Sequence, residues 1–402
     1  MDAMLIVGAG ECGTRAAFTL RESGWSGGIV LLGDEAGLPY ERPPLSKAGA
    51  DANGVPLRPI CSAGQLQAAR IDYRPAERVE RIDRAGRSVQ LQSGAELRYE
   101  RLLLATGARP RVLGCPGAAG VLQFRSHADA LALLQRQQGA RSAVLIGAGL
   151  IGMELAATLR SAGLAVTVLE AGPRALGRGV PLPLAERLLQ RHREAGVQFR
   201  FGSGLSAIEA GAVHLVDGSA LPADLVLAAI GVEPNTQLAA AAGLQLDNGI
   251  AVDACLRSSD ALIHAAGDCA AVQLAEGGPR LRFESWRNAR DQGEHAARAI
   301  LGDSALFSAK PWFWSDQYEL GLQVAGLCHP ERALIRRSLA ADTELLFQLD
   351  EAGRLSCAAG LGPGQSVARD IRLAELLMSS GKRLDAATLA DPARSLKALL
   401  RD

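Results

Sequence analysis

Six glycines and three acidic residues carry the chemistry this sequence announces first. Gly8, Gly10 and Gly13 lie in LIVGAGECG, and Gly147, Gly149 and Gly152 lie in VLIGAGLIG, about 140 residues further on. Each loop follows a short apolar run and opens a helix-like segment. That is the layout of a dinucleotide site: a strand, a turn without side chains, and helix amides aimed at a pyrophosphate. Asp34 and Glu170 follow about 23 to 26 residues beyond the first glycine of each loop, with Glu35 next to Asp34. A carboxylate there accepts hydrogen bonds from a ribose 2′-hydroxyl. A 2′-phosphate about 5 Å from Glu170 would feel on the order of 3 kcal/mol of repulsion per unit charge at an effective dielectric near 20. NADH is therefore expected over NADPH, with Arg174 and Arg178 as the cations able to offset that repulsion. One such loop means little, because glycine is 45 of 402 residues and chance supplies roughly 0.6 matches in a chain of this composition. Two loops, each between a strand and a helix, point to two dinucleotides held so that electrons pass between them.

The elements that must position these loops are legible around them. Met4–Val7 reads as a strand, Glu11–Glu22 as a helix stopped near Gly24, and Ile29–Leu32 as a second strand. Ala143–Ile146, Leu150–Ser161 and Val166–Leu169 repeat the pattern. Leu102–Ala105, running into Thr106 and Gly107, reads as a buried strand that ends at a ligand. The segment PYERPPLSK is too rich in proline for a helix or a central strand. A helix is expected from about Leu184 to Ala195 and another over Arg287–Leu301. From about Lys310 the glycine signature is gone, and PWFWSDQY opens a separate domain of mixed strand and helix.

Composition removes several classes of function. Lysine plus arginine equals aspartate plus glutamate, 43 each, so nothing global favours nucleic acid or an anionic membrane. No apolar run approaches the length of a membrane span. With a strand starting at Met4, no signal peptide is expected and the cytoplasm is the expected location. The seven cysteines form no CxxC or CxxxxC pair, so neither a disulfide framework nor a redox dithiol is expected. The histidines show no metal-binding spacing, and no metal site is expected.

GAGECG, PYERPPLSK, LLLATGARPR, GAGLIGMELA, AIGVEPN, HAAGDCA, ESWRNA and PWFWSDQYELGLQ occur here in one order. In this the chain resembles the NADH-dependent ferredoxin reductases that serve Rieske-type dioxygenases and bacterial cytochromes P450. The resemblance runs to about Gly326. It implies an α/β fold of two Rossmann-like dinucleotide-binding domains, glutathione-reductase-like, plus a C-terminal α+β domain. The implied boundaries are 1–108 and 233–308 for an FAD domain, 109–232 for an NADH domain inserted into it, and 309–402 for the C-terminal domain.

The resemblance also implies roles. FAD is expected against Gly8, Gly10, Cys12 and Gly13, with Asp34 or Glu35 at its ribose and Arg42, Val79, Ala105, Thr106, Gly107 and Arg125 among its contacts. Gly267 and Asp268 are expected at the ribitol. Glu284, Ser285 and Trp286 are expected to open a helix whose amides favour negative charge on the flavin ring. NADH is expected against Gly147, Gly149, Ile151, Gly152, Glu154, Glu170, Arg174 and Gly231. Lys47 and Glu154 are the expected catalytic pair beside the flavin N5, with Trp314 near the ring edge. Hydride transfer asks for alignment more than proton chemistry. The implied acceptor is a [2Fe–2S] ferredoxin, with rubredoxin as an alternative, and indirectly a Rieske-type oxygenase or P450. A competing reading is a redox-sensing interaction protein resembling the apoptosis-inducing flavoprotein. Arg287, Arg290 and Arg298 follow Trp286 on one helix and are expected to form a basic face for an acidic ferredoxin.

Overall fold

The computed structural model describes residues 3–47, 54–275, 277–308, 311–340 and 342–401. The chain divides into two compact units: Met1–Arg42, Leu57–Arg109 and Val232–Ala309 in the first, and Pro43–Pro56, Pro110–Gly231 and Lys310–Asp402 in the second.

The first unit is built on Ala3–Val7, whose Met4, Leu5 and Ile6 are buried. A strand apolar on both faces belongs in the middle of a parallel sheet. It pairs with Ile29–Leu32 on one side and Glu96–Leu104 on the other, both parallel. Ile71–Arg74 and Ile263–Ala265 extend the sheet in the same direction. The register matters most for function. Val7 lies opposite Leu32 and Leu104, and Leu104 lies opposite Ala265. Four strands thus end level, and the segments leaving them begin at Gly8, Gly33, Ala105 and Ala266 on one sheet edge. Helix Glu11–Glu22 buries Cys12, Gly13, Ala16, Ala17 and Leu20. Gly24, at φ 99°, turns the chain away beyond its C-cap. Helix Trp286–Ile300 packs against it so closely that a side-chain carbon at Gly293 would run into the Cys12 carbonyl.

The second unit contains a second parallel sheet, in the order Gln198–Phe201, Ala165–Glu170, Ser142–Ile146, Leu225–Ala228, Leu122–Gln123. Ile146 lies opposite Leu169 and Ala228, so the segments beginning at Gly147, Glu170 and Ala229 leave one edge. The same unit carries a five-stranded antiparallel sheet that starts with Trp312–Gln317 and Leu320–Gly326 and is covered by helix Ala368–Ser380. Helix Leu182–Glu194 buries Leu184, Ala185, Leu188 and His192 on one face. The expected α/β fold with an α+β C-terminal portion is the one found. Cys328 and Cys357 are joined as a disulfide with Cα atoms 5.1 Å apart, a pairing that the scattered cysteines do not announce. Among the described residues, no helix is long and apolar enough to cross a membrane.

Candidate functional site

Both glycine loops divide their labour in the same way. A side-chain carbon at Gly8 would collide with the Ala105 carbonyl, and one at Gly13 with the Gly8 carbonyl. At Gly10 it would meet nothing within 4 Å. The second loop repeats this: Gly147 is closed off by the Ala229 carbonyl and Gly152 by the Gly147 carbonyl, while Gly149 faces open space. Gly8 and Gly147 also sit at φ 109° and 105°, where a side chain is strained. The outer and inner glycines are therefore required by the protein's own backbone. The middle glycine keeps an outside approach clear. Gly10 and Gly149 are the N-caps of their helices, and neither end is closed by a side-chain hydrogen bond. Open amides at a helix start, with a clear approach, fit a pyrophosphate.

The acidic residues differ between the loops. Glu170 spans its loop: Oε2 accepts from the Ala148 N–H at 2.8 Å and Oε1 from the Gly172 N–H at 2.7 Å. Glu35 is held instead by side chains, accepting from the Tyr40 hydroxyl and pairing with Arg42. Asp34 is exposed. Arg174 is spent on backbone, donating to the carbonyls of Ala175, Leu176, Gly177 and Val180. Ile151, in the first turn of the second loop helix, is 43% exposed.

Around the first edge, Thr106 and Asn235 exchange hydrogen bonds, Thr106 Oγ1 to the Asn235 carbonyl at 2.7 Å and Asn235 Nδ2 to the Thr106 carbonyl at 2.8 Å. Gly107 and Gly267 take positive φ, as Gly231 does in the second unit. The Gly267 N–H donates to Gln292 Oε1, and Asp268 is buried in the short turn that follows. Gly267 also abuts the Cys12 side chain. Burial pushes the Cys12 thiol well above its ordinary range, so it is no thiolate at neutral pH. Ser285 caps helix Trp286–Ile300 by accepting from the Asn288 N–H. Glu284 pairs with Arg282 at 2.7 Å. Val79 is buried on the antiparallel strand Val79–Asp83 of the first unit. Arg125 follows Leu122–Gln123 in the second, its N–H donating to Asp129.

The second unit brings Lys47, Glu154 and Trp314 together. Lys47 Nζ lies 3.3 Å from Glu154 and 2.6 Å from Asp316, and 5.0 Å from the centre of the Trp314 ring. Trp314 Nε1 donates to the same Asp316. The segment that carries Lys47 is fixed to the second loop helix, because Thr158 Oγ1 donates to the Ser46 carbonyl at 2.8 Å. Glu154 is only 3% exposed. Ser46 donates to one of its oxygens and Ser315 to the other. Burial raises its pKa, and Lys47 and the two hydroxyls oppose the rise. Spacing alone does not single out Ser46, Ser315 or Asp316. The available signal is alternation in WFWSDQ. A strand sends Ser315 and Gln317 to one face and Trp314 and Asp316 to the other, and burial follows that division.

Along helix Trp286–Ile300, Arg290 and Arg298 both pair with Glu294, at 3.3 and 3.5 Å, and Arg15 joins the same carboxylate at 2.8 Å. The positive charge of this helix is thus partly balanced within the unit.

Residues 2–293 match the family model of pyridine nucleotide-disulphide oxidoreductases, and residues 312–400 match that of the reductase C-terminal domain. The chain is similar to a rhodocoxin reductase of Rhodococcus erythropolis, 42% identical over 370 residues that cover 89% of this chain and 84% of that one. It is similar to the ferredoxin–NAD(+) reductase component of the anthranilate 1,2-dioxygenase system of Burkholderia cepacia, 38% identical over 99% of both chains. Among solved structures it is similar to the ferredoxin reductase for the CYP199A2 system of Rhodopseudomonas palustris, with a TM-score of 0.92 and 37% identity over all of both chains.

Proposed function

We propose, for a chain that belongs to the pyridine nucleotide-disulphide oxidoreductase family, that it is an NADH-dependent ferredoxin reductase whose [2Fe–2S] ferredoxin serves an oxygenase. The observation that carries the reading is the pair of glycine loops with the same open middle position, in a chain whose full-length relatives are named as ferredoxin reductases. FAD belongs on the first loop, in a domain of residues 1–108 and 233–308, and NADH on the second, in residues 109–232, with 309–402 as the C-terminal domain. The first loop would hold FAD, which when bound would supply the capacity to take a hydride from NADH and pass electrons singly to the iron–sulfur partner.

The chain's own residues hold and orient these groups. Amides at the starts of Glu11–Glu22 and Leu150–Ser161 take the two pyrophosphates. Glu170, fixed by two backbone amides, presents charge to the NADH ribose and disfavours a 2′-phosphate. Glu35 or Asp34, with Arg42 alongside, serves the FAD ribose. Ala105, Thr106, Gly107, Gly267 and Asp268 line the first site from neighbouring strand ends. Ser285 starts a helix whose amides stabilise negative charge, with Glu284 and Trp286 beside it. Val79 adds a contact to the flavin nucleotide, and Gly231, Ile151 and Arg174 border the NADH site. Lys47 places a positive charge beside the reacting groups, and Glu154 orients the nicotinamide. Trp314 flanks them. The cytoplasm, where NADH is supplied, is the location this reaction calls for.

Steady-state assay tests the acceptor. NADH oxidation should be slow alone and should accelerate on addition of a [2Fe–2S] ferredoxin. Negligible turnover with a panel of such ferredoxins would favour a sensing role over an electron-transfer one. At low salt, reversing charge at Arg290 should raise the Michaelis constant for ferredoxin if that helix is part of the docking face.

A further inference from the structure

Behind Glu154 the second unit contains a buried polar chain that the proposed chemistry does not yet use. Ser315 Oγ donates to Glu154 Oε1 at 2.6 Å. Gln317 Nε2 donates to Ser315 Oγ at 3.0 Å. His192 Nε2 lies 2.9 Å from Gln317 Oε1. Ser315, Gln317 and His192 are at most 1% exposed. Polar groups this deep are costly unless their partners repay desolvation. A chain of three leading to one carboxylate therefore calls for a reason.

Its directions are fixed by counting donors. A neutral imidazole has one N–H. His192 Nδ1 is buried without a hydrogen-bond partner, so the proton belongs on Nε2, where it donates to Gln317 Oε1. The Gln317 amide is thereby oriented with its NH2 toward Ser315. The Ser315 oxygen accepts from it, and the hydroxyl hydrogen is left for Glu154. With the other tautomer every step reverses. Nε2 would accept, the amide would turn over, and Gln317 Oε1 would draw the Ser315 hydrogen away from Glu154. Burial also keeps His192 neutral, with a pKa lowered to about 4.

We infer that His192 and Gln317 are positioning residues that commit the Ser315 hydroxyl to Glu154 and so fix the carboxylate for hydride transfer. This rests on the reading of Glu154 given above. Helix Leu182–Glu194 and strand Trp312–Gln317 supply the two links.

The test is the rate constant for flavin bleaching when the FAD-loaded protein is mixed with saturating NADH without oxygen. Five variants are needed: His192→Leu, His192→Gln, Gln317→Leu, Ser315→Ala and Gln317→Leu/Ser315→Ala. Glu154→Gln is the control. Hydrogen bonds to charged groups are worth enough for a fall of about three- to tenfold in His192→Leu and Gln317→Leu, with the half-saturating NADH concentration within about twofold of wild type. His192→Gln keeps an N–H at the same reach and should recover the rate to within about twofold. The double variant should be no slower than Ser315→Ala alone, since both remove one pathway. General loosening of the fold would instead make the losses additive and would track melting temperature. If Glu154→Gln is slow while His192→Leu and Gln317→Leu bleach at the wild-type rate, the inference is overturned and the role of Glu154 stands. If Glu154→Gln itself bleaches normally, the role of Glu154 falls first. Should His192→Leu fail to fold, Gln317→Leu and the double variant decide the matter.

Discussion

The two loop helices start from the same backbone and diverge at one helical position. Arg15 follows Gly13 by two residues, and Glu154 follows Gly152 by two. Arg15 points to a neighbouring helix and pairs with Glu294, both partners about a quarter to a third exposed (32% and 25%). Glu154 is buried and is held by two serines and Lys47. The acids after each second strand diverge in the same sense. Glu35 is held by the side chains of Tyr40 and Arg42, whereas Glu170 is pinned by backbone amides of its own loop. On the function proposed above, the shared frame would supply binding to both dinucleotides, and the difference in side chains would give the second loop the selective and reactive work.

The largest effect should come from the shared frame. Gly13→Val and Gly152→Val place carbon against a carbonyl in each unit and should each cost more than about 4 kcal/mol of stability. Gly10→Ala and Gly149→Ala meet open space. They should leave the melting temperature of the apoprotein near wild type while weakening dinucleotide binding. Equal destabilisation at the inner and middle positions would break the comparison.

Next in size is a response to pH. Each unit buries a neutral histidine, His264 in the first and His192 in the second, and desolvation lowers both pKa values to about 4. Unfolded, each titrates near 6.5, so between 4 and 6.5 the unfolded chain binds more protons. Stability should be full above about pH 6.5 and be lost as pH falls toward 4, by about 3 kcal/mol per histidine at most. Urea melts at pH 7 and pH 5 check this. His264→Leu should flatten the slope for the first unit.

Coenzyme choice should move less. Glu170→Gln removes the charge proposed to oppose a 2′-phosphate and should narrow the preference for NADH over NADPH by about a hundredfold, measured as the ratio of kcat/KM values. Smallest of all, Arg15→Met removes one partly exposed ion pair. It should change stability by less than about 1 kcal/mol and leave flavin reduction unaltered. A large kinetic defect in Arg15→Met would erase the contrast with Glu154.

What the sequence made legible is what the backbone dictates locally. Gly8, Gly13, Gly147 and Gly152 are glycines because neighbouring carbonyls leave no room, and such constraints show in spacing. Helix limits at Trp286–Ile300 and Leu182–Glu194 lie within about two residues of those expected from pattern. The surroundings of Glu154 were not legible. Ser46, Ser315, Gln317 and His192 come from three separate elements, Ser315 and Gln317 sharing one strand, and only packing brings the three together. Arg174 reads as a cation available to a phosphate, yet loop carbonyls occupy it. The Cys328–Cys357 pair is invisible for the same reason. Cys357 lies opposite Gly326 on the adjacent strand, and Cys328 follows two residues on.

The most direct test of the central claim is an anaerobic titration of the purified protein with NADH, followed by visible absorbance. A yellow protein whose flavin bands bleach stoichiometrically with NADH, and return when an oxidised [2Fe–2S] ferredoxin is added, is the result expected here. A correctly folded protein that takes up no FAD, or holds a flavin that NADH leaves oxidised, would contradict it.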